Sequence, residues 1–289
     1  MTPLENLLHW TVVAMFALGV AGYASACGLH LASVAVPSRR REWNWMGLAP
    51  VGAAFVALVA LLLARGLHLG SIPFQSKYET FLIMMAGLAV GFVAFDLAGG
   101  LRRIKGWPGV WVALIGASAA GTGLTFALLS RQEDFQALQK PPALQTYWIA
   151  IHTPCMIVSY GLLYVAVATA GLYLVLRAIT NRDDVGGLDW DHLVHSAMKI
   201  GFPFLTVGLF LGCVWGQEAW ATYWGWDIKE TWAFITWAVF LVYFHLRMTP
   251  GMKGMKSALV VVLGGAAILV TWLCMHLLPE SVSSLHVYN

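Results

Sequence analysis

The chain has 289 residues, of which 59% are hydrophobic and only 11% charged, with a formal net charge of +3 and a mean hydropathy of +0.72. Soluble domains carry about 25% charged residues, so this composition excludes an ordinary soluble enzyme and points to one polytopic membrane domain over 1–289. Nothing in the charge suggests nucleic acid. The four cysteines form no CxxC pair and lie in or beside apolar runs, which argues against a thiol-disulfide enzyme or a zinc site.

A helix crosses a bilayer with about 20 apolar residues. Eight such stretches follow in chain order, at roughly Leu7–Val34, Trp45–Ala64, Tyr78–Ala98, Trp107–Leu129, Thr153–Leu176, Lys199–Trp215, Thr231–Arg247 and Ser257–Leu278. The pattern predicts an all-α integral membrane protein, a bundle of about eight transmembrane helices. The first stretch is too long for a signal-peptide core and has no basic segment before it, so it reads as a span. Glu79, at the start of the third stretch, suits a helix N-terminus.

An even number of spans puts both termini on one side. Of the 17 lysines and arginines, five (Arg65, Lys77, Arg131, Lys140 and Lys229) fall in one set of loops and the rest, including Arg39, Arg40 and Arg41, in the other. The positive-inside rule then places the richer set in the cytoplasm and the termini, His152 and His286 outside.

The segment between the sixth and seventh spans reads WGQEAWATYWGWDIKETWAFITW, from Trp215 to Trp237. Its tryptophans are Trp215, Trp220, Trp224, Trp226, Trp232 and Trp237, six of the fourteen in the chain. A belt at the membrane surface is the bland explanation, but a belt gathers tryptophans from many loops. Indole faces at this density suit a flat ligand, and Gly216 and Gly225 allow close backbone approach. Asp227 and Glu230 have the spacing of a capping box for the seventh span. Lys229 suits either an anionic ligand group or the plain interface.

Histidines flank this segment. His152 precedes Thr153-Pro154, a cap followed by proline at a first helical position. That places His152 at the outer mouth of the fifth span. His286 falls in the short tail, on the same predicted side. Two imidazoles can hold haem iron axially, so a planar metal macrocycle, haem, fits both the histidines and the indoles. His245 lies about 13 residues beyond Trp232, roughly 20 Å along a helix, too far to share that site. It is either a second, intramembrane site or a histidine snorkelling beside Arg247. His30 is an in-chain candidate to oppose it. His192 and His195 fall in a predicted cytoplasmic loop.

At these residues the chain resembles the WWD family of haem-handling proteins, in the CcsA/ResC form of System II cytochrome c biogenesis. The resemblance rests on W-G-W-D-x-K-E-T-W at Trp224–Trp232 and on Phe244-His245-Leu246-Arg247 closing the next helix. Pro73-Phe74 with Tyr78-Glu79, His152-Thr153 with Ser159-Tyr160, and Leu285-His286 with Tyr288 extend it. Ile228 and Val287 stand where the family usually has proline and serine. The likeness covers about 70–289, with an external WWD loop at about 215–231.

The resemblance implies roles. His152 and His286 would ligate haem held against Trp215, Trp220, Trp224, Trp226, Asp227 and Trp232. His245 would bind haem within the membrane, opposite a histidine from a separate CcsB/ResB-like subunit. The haem would be b-type before its attachment to the Cys-x-x-Cys-His of an apocytochrome c. The membrane would be a bacterial-type inner membrane or a thylakoid. A haem transporter without ligation activity, a HemX-like assembly or regulatory protein and a b-type cytochrome are the other readings.

Overall fold

The computed structural model describes residues 2–32, 40–70, 72–73, 77–97, 146–183 and 189–274. These form seven α-helices and no β-strand among the described residues: α1 (Pro3–Ala32), α2 (Arg40–Leu69), α3 (Lys77–Leu97), α4 (Ile149–Thr180), α5 (Trp190–Trp220), α6 (Ile228–Met248) and α7 (Met255–Leu269). A π-helical turn, Val270–Cys274, follows α7. Five of the described stretches are long and apolar enough to cross a membrane, in α2, α4, α5, α6 and α7 with its extension. The protein is an all-helical, multi-pass membrane protein. The predicted span at 107–129 and the end of the eighth lie outside the described residues.

The chain forms two compact units, Met1–Leu138 and Gln139–Asn289. In the first, α1 packs along α2 and α2 against α3. A reciprocal cap starts α1: Glu5 N–H donates to Thr2 Oγ1 at 3.2 Å, and Thr2 N–H donates to Glu5 Oε2 at 2.5 Å, with Pro3 at the first helical position. Arg65, expected in a loop, lies on α2 with only 1% of its surface exposed. Its Nε meets Glu79 Oε1 at 2.6 Å, and its Nη1 lies 3.8 Å from Glu5 Oε1. A charge buried among apolar helices needs such partners. The Tyr78 hydroxyl hydrogen-bonds His9 Nδ1 at 2.9 Å beside this group.

In the second unit, α4 packs against both α5 and α7, and α6 packs mainly against α7. Gly264 and Gly265 place α7 between its neighbours. A Cβ at Gly264 would lie 2.3 Å from Phe240 on α6, and one at Gly265 would lie 2.6 Å from Val167 on α4. Such contacts need glycine, and small residues let membrane helices approach closely. The hydroxyls of Thr236 and Thr271 join α6 to the π-turn at 2.9 Å.

Two boundaries differ from the sequence reading in ways that reshape the site. α4 begins at Ile149, four residues ahead of the expected Thr153. Thr153 is therefore no cap and Pro154 no first helical residue, because the turn at Tyr147 and Trp148 already starts the backbone ladder. α5 runs from Trp190 to Trp220, so His192 and His195 are helical and not in a loop. The Asp189 carboxylate caps α5 by accepting from His192 N–H at 2.9 Å. At its far end α5 stops at Ala221, whose left-handed φ of 58° terminates the ladder.

Candidate functional site

The expected loop at about 215–231 shrinks to residues 221–227. Trp215 and Trp220 belong to the last turns of α5, and Trp232 belongs to α6. Only Trp224 and Trp226 among the named tryptophans are in the loop itself. Its geometry follows from the sequence. The Asp227 carboxylate accepts from Glu230 N–H at 2.8 Å, and Glu230 Oε2 accepts from Asp227 N–H at 3.3 Å. The predicted capping box is present. Glu230 Oε2 also accepts from Gly225 N–H at 2.7 Å, so one carboxylate ties the loop to the first turn of α6. Trp226 takes a left-handed φ of 57°, uncommon for a bulky residue, and its ring is exposed. On the other side, the Thr222 carbonyl comes within 3.0 Å of where a Cβ on Gly216 would stand. The loop backbone thus lies directly on α5.

The rings form two groups. His152 stacks on Trp215 with centroids 5.6 Å apart and planes 13° apart, and Trp215 meets Trp220 edge-on at 4.6 Å. The second group starts in the loop. Trp224 meets Trp226 at 5.8 Å, Trp226 meets Phe234 at 6.0 Å, and Phe234 stacks on Trp237. Trp237 stacks on Phe202 of α5 and donates its indole N–H to Thr206 Oγ1 at 3.1 Å. Phe202 continues to Phe244, which contacts His195. The sequence reading gave no role to Phe202 and Thr206, which lie within its predicted sixth span, because their partner Trp237 is on another helix; it placed His195 in a loop, whereas His195 is helical.

His152 Nδ1 lies 2.9 Å from the Gly208 carbonyl. A carbonyl can only accept, so Nδ1 carries the proton and Nε2 carries the lone pair. This tautomer suits a metal-binding histidine. His245 repeats the device: Nδ1 lies 2.9 Å from the Leu241 carbonyl one turn back. Its ring is exposed on α6, near the opposite end of the helix from the loop. The two histidines therefore lie in separate places, His152 against Trp215 and His245 in the last turn of α6. Two further observations fit a flat, anionic iron macrocycle. The Trp226 and Tyr223 rings are more than 60% exposed. The Trp224 indole Nε1 is buried without a hydrogen-bond partner among the described residues, so it is a donor suited to a carboxylate. Lys229 is exposed beside Asp227. His286 lies outside the described residues, as does His276. His152 lies in the first turn of α4 and not in the segment ahead of it.

Near the other end of the second unit, Arg247 Nη1 meets Asp191 Oδ1 at 2.5 Å. Asp191 Oδ1 also accepts from Gly254 N–H at 2.9 Å and Ser257 Oγ at 3.3 Å. The Tyr243 hydroxyl lies 3.3 Å from His195 Nδ1. These contacts hold the N-terminus of α5, the end of α6 carrying His245 and the turn into α7 together.

Comparison with known proteins adds what geometry alone does not give. Residues 48–283 match the family model described as cytochrome C assembly protein. The cytochrome c biogenesis protein CcsA of Chlamydomonas reinhardtii is 31% identical over 282 residues, covering 94% of this chain and 74% of that protein. The CcsA of Guillardia theta is 31% identical over 80% of this chain and 81% of its own length. That of Synechococcus elongatus is 30% identical over 83% of this chain and 89% of its own. The family match thus begins ahead of residue 70, within α2, and the chain belongs to the cytochrome c assembly protein family, in its CcsA type.

Proposed function

We propose that the chain is the haem-handling subunit of a cytochrome c synthetase, which carries haem across the membrane and presents it for attachment to an apocytochrome c. The observation that carries this reading is the ring of His152. It is held with its proton on Nδ1 by the Gly208 carbonyl and stacked on Trp215, in a chain of the CcsA type.

In this reading His245 takes the iron first, opposite a histidine of a CcsB/ResB-like subunit, with Leu241 fixing its tautomer. The fully assembled bundle has eight spans, with the tryptophan loop and both termini on the outer face of a bacterial-type inner or thylakoid membrane. There His152 and His286 hold the iron, and Trp224 and Trp226 bear on the ring. The Trp224 indole N–H and Lys229 suit the propionates. Bound b-type haem supplies two vinyl groups, to which the two thiols of the client's Cys-x-x-Cys-His add, each thiol proton ending on the adjacent vinyl carbon. The chain contributes position: it turns a bimolecular encounter into an oriented one.

Changing both His152 and His286 to alanine, in the presence of the partner subunit and an apocytochrome c, tests the reading. Thioether formation should be lost and should return in part with added imidazole. Undiminished thioether formation without imidazole refutes it. Haem export that continues without covalent product in the wild type would favour the transporter reading.

A further inference from the structure

His152 is the last member of a row. α4 and α5 run antiparallel, and Leu163, Met156 and His152 on α4 meet Gly201, Gly208 and Gly212 on α5. The spacings are seven and then four residues on both helices, counted in opposite directions. A Cβ at Gly201 would lie 2.8 Å from Leu163 Cγ, and one at Gly208 would lie 2.7 Å from Met156 Sδ. A Cβ at Gly212 would lie 2.7 Å from His152 Cε1 and 3.0 Å from its Nδ1. At the first two, the neighbours are the Leu163 and Met156 side chains and, behind them, the backbone nitrogens of the same residues at 3.1 and 3.3 Å. At the third, the neighbour is a rigid ring that can only swing away as a whole. Its hydrogen bond to the Gly208 carbonyl and its stack on Trp215 fix the same ring from two other directions.

We propose that Gly212 is a positioning residue: with the Gly208 carbonyl and the Trp215 indole it forms a cradle on α5 that sets the ring plane and tautomer of His152 before haem arrives. The proposal rests on the reading of His152 as a haem ligand and adds the α5 residues that aim it. Metal-binding histidines depend on the partner of their second nitrogen. Here that partner is a backbone carbonyl, and access to it depends on a missing side chain one turn further along.

Two measurements on the full chain test this. The first uses the wild type labelled with ¹⁵N-histidine, with the His152 resonance identified by its absence in His152→Ala. The proton should be on Nδ1; a proton on Nε2 overturns the proposal. The second compares haem retention and the reduced absorption spectrum in Gly212→Ala and Gly201→Ala, co-expressed with the partner subunit. Both variants press on the same helix seam, but only the first presses on the imidazole. Gly212→Ala should lose haem by about tenfold, the scale of losing a ligand's supporting partner, and recover it with added imidazole. Gly201→Ala should stay within about twofold of wild type and show no imidazole effect. Equal losses in the two variants, with no imidazole rescue in either, overturn the proposal. Full haem retention and an unchanged spectrum in His152→Ala overturn the underlying ligand reading instead, whichever tautomer is found.

Discussion

Asp191 and Arg247 meet at 2.5 Å, joining the first turn of α5 to the last turn of α6. Arg247 lies two residues beyond His245, so this contact also sets where the end of α6 sits. The Asp191 carboxylate accepts from Gly254 and Ser257 as well. Asp191→Ala removes all three interactions and strands a guanidinium that is only partly exposed. The expected loss is on the order of 3 kcal/mol, the range for unpairing partly buried charged groups. Asp191→Asn keeps an acceptor for both donors and should lose less. Thermal unfolding of the detergent-purified chain distinguishes them. Equal midpoints for wild type and Asp191→Ala would show that the pair contributes nothing.

Arg65 presents the stronger case, because it is 1% exposed and its partners Glu5 and Glu79 are equally buried. Glu79→Ala removes the 2.6 Å contact of Arg65 and keeps its longer one, to Glu5 at 3.8 Å. Breaking a buried pair from one side costs about 3–5 kcal/mol, whereas replacing both members by apolar residues is often neutral. Glu79→Ala should therefore lower the yield of folded protein and its thermal midpoint. Arg65→Met combined with Glu79→Leu and Glu5→Gln, so that no buried carboxylate loses its cation, should restore much of both. A combined variant as unstable as the single one would mean that the charges matter for more than mutual compensation, and would point to a functional role for this group.

How much of this was legible in the sequence depended on whether the signal was local. The capping box at Asp227 and Glu230 was legible because it needs only four consecutive residues. The separation of His245 from the tryptophan loop was legible because helix rise is fixed. The start of α4 was not, because Thr153-Pro154 imitates a helix start while Ile149–His152 is apolar enough to extend the span upstream. The length of α5 was hidden by Asp191, His192 and His195, polar residues that read as loop. In the fold two of them face tertiary partners: Arg247, Gly254 and Ser257 for Asp191, and Tyr243 for His195. The burial of Arg65 was hidden for the same reason. A lone arginine at the end of an apolar run looks interfacial until Glu5 and Glu79 are seen on the neighbouring helices.

The Glu230 carboxylate separates capping from loop geometry. Glu230→Gln retains a side-chain acceptor for Gly225 and Asp227 and should bind haem nearly as the wild type does. Glu230→Ala leaves both N–H groups without that acceptor, and Asp227→Ala removes the other half of the box. Each alanine should cost about 1 kcal/mol of stability. Glu230→Ala should weaken haem retention more than Asp227→Ala, since only Glu230 reaches Gly225 in the loop. Haem content per purified chain is the measurement. The reverse order would mean that Asp227 acts on the ligand directly.

His245 offers the decisive test of a second site. Its ring is exposed on α6 with its proton directed to the Leu241 carbonyl, so the lone pair is on Nε2. A histidine that merely snorkels to the membrane surface needs no fixed tautomer and no partner chain. A histidine that receives iron needs a ligand from the other side. Absorption spectra of the purified chain, with and without a co-expressed CcsB-like subunit, distinguish these. A reduced bis-histidine spectrum that requires the partner and weakens in His245→Ala is the expected result. It should return with added imidazole, which supplies the missing ligand. Haem retained in full by His245→Ala would reduce the residue to a surface histidine and leave the His152 site as the sole haem position. A spectrum lost in His245→Ala but independent of the partner would move the opposite ligand into this chain, with His30 the first residue to change.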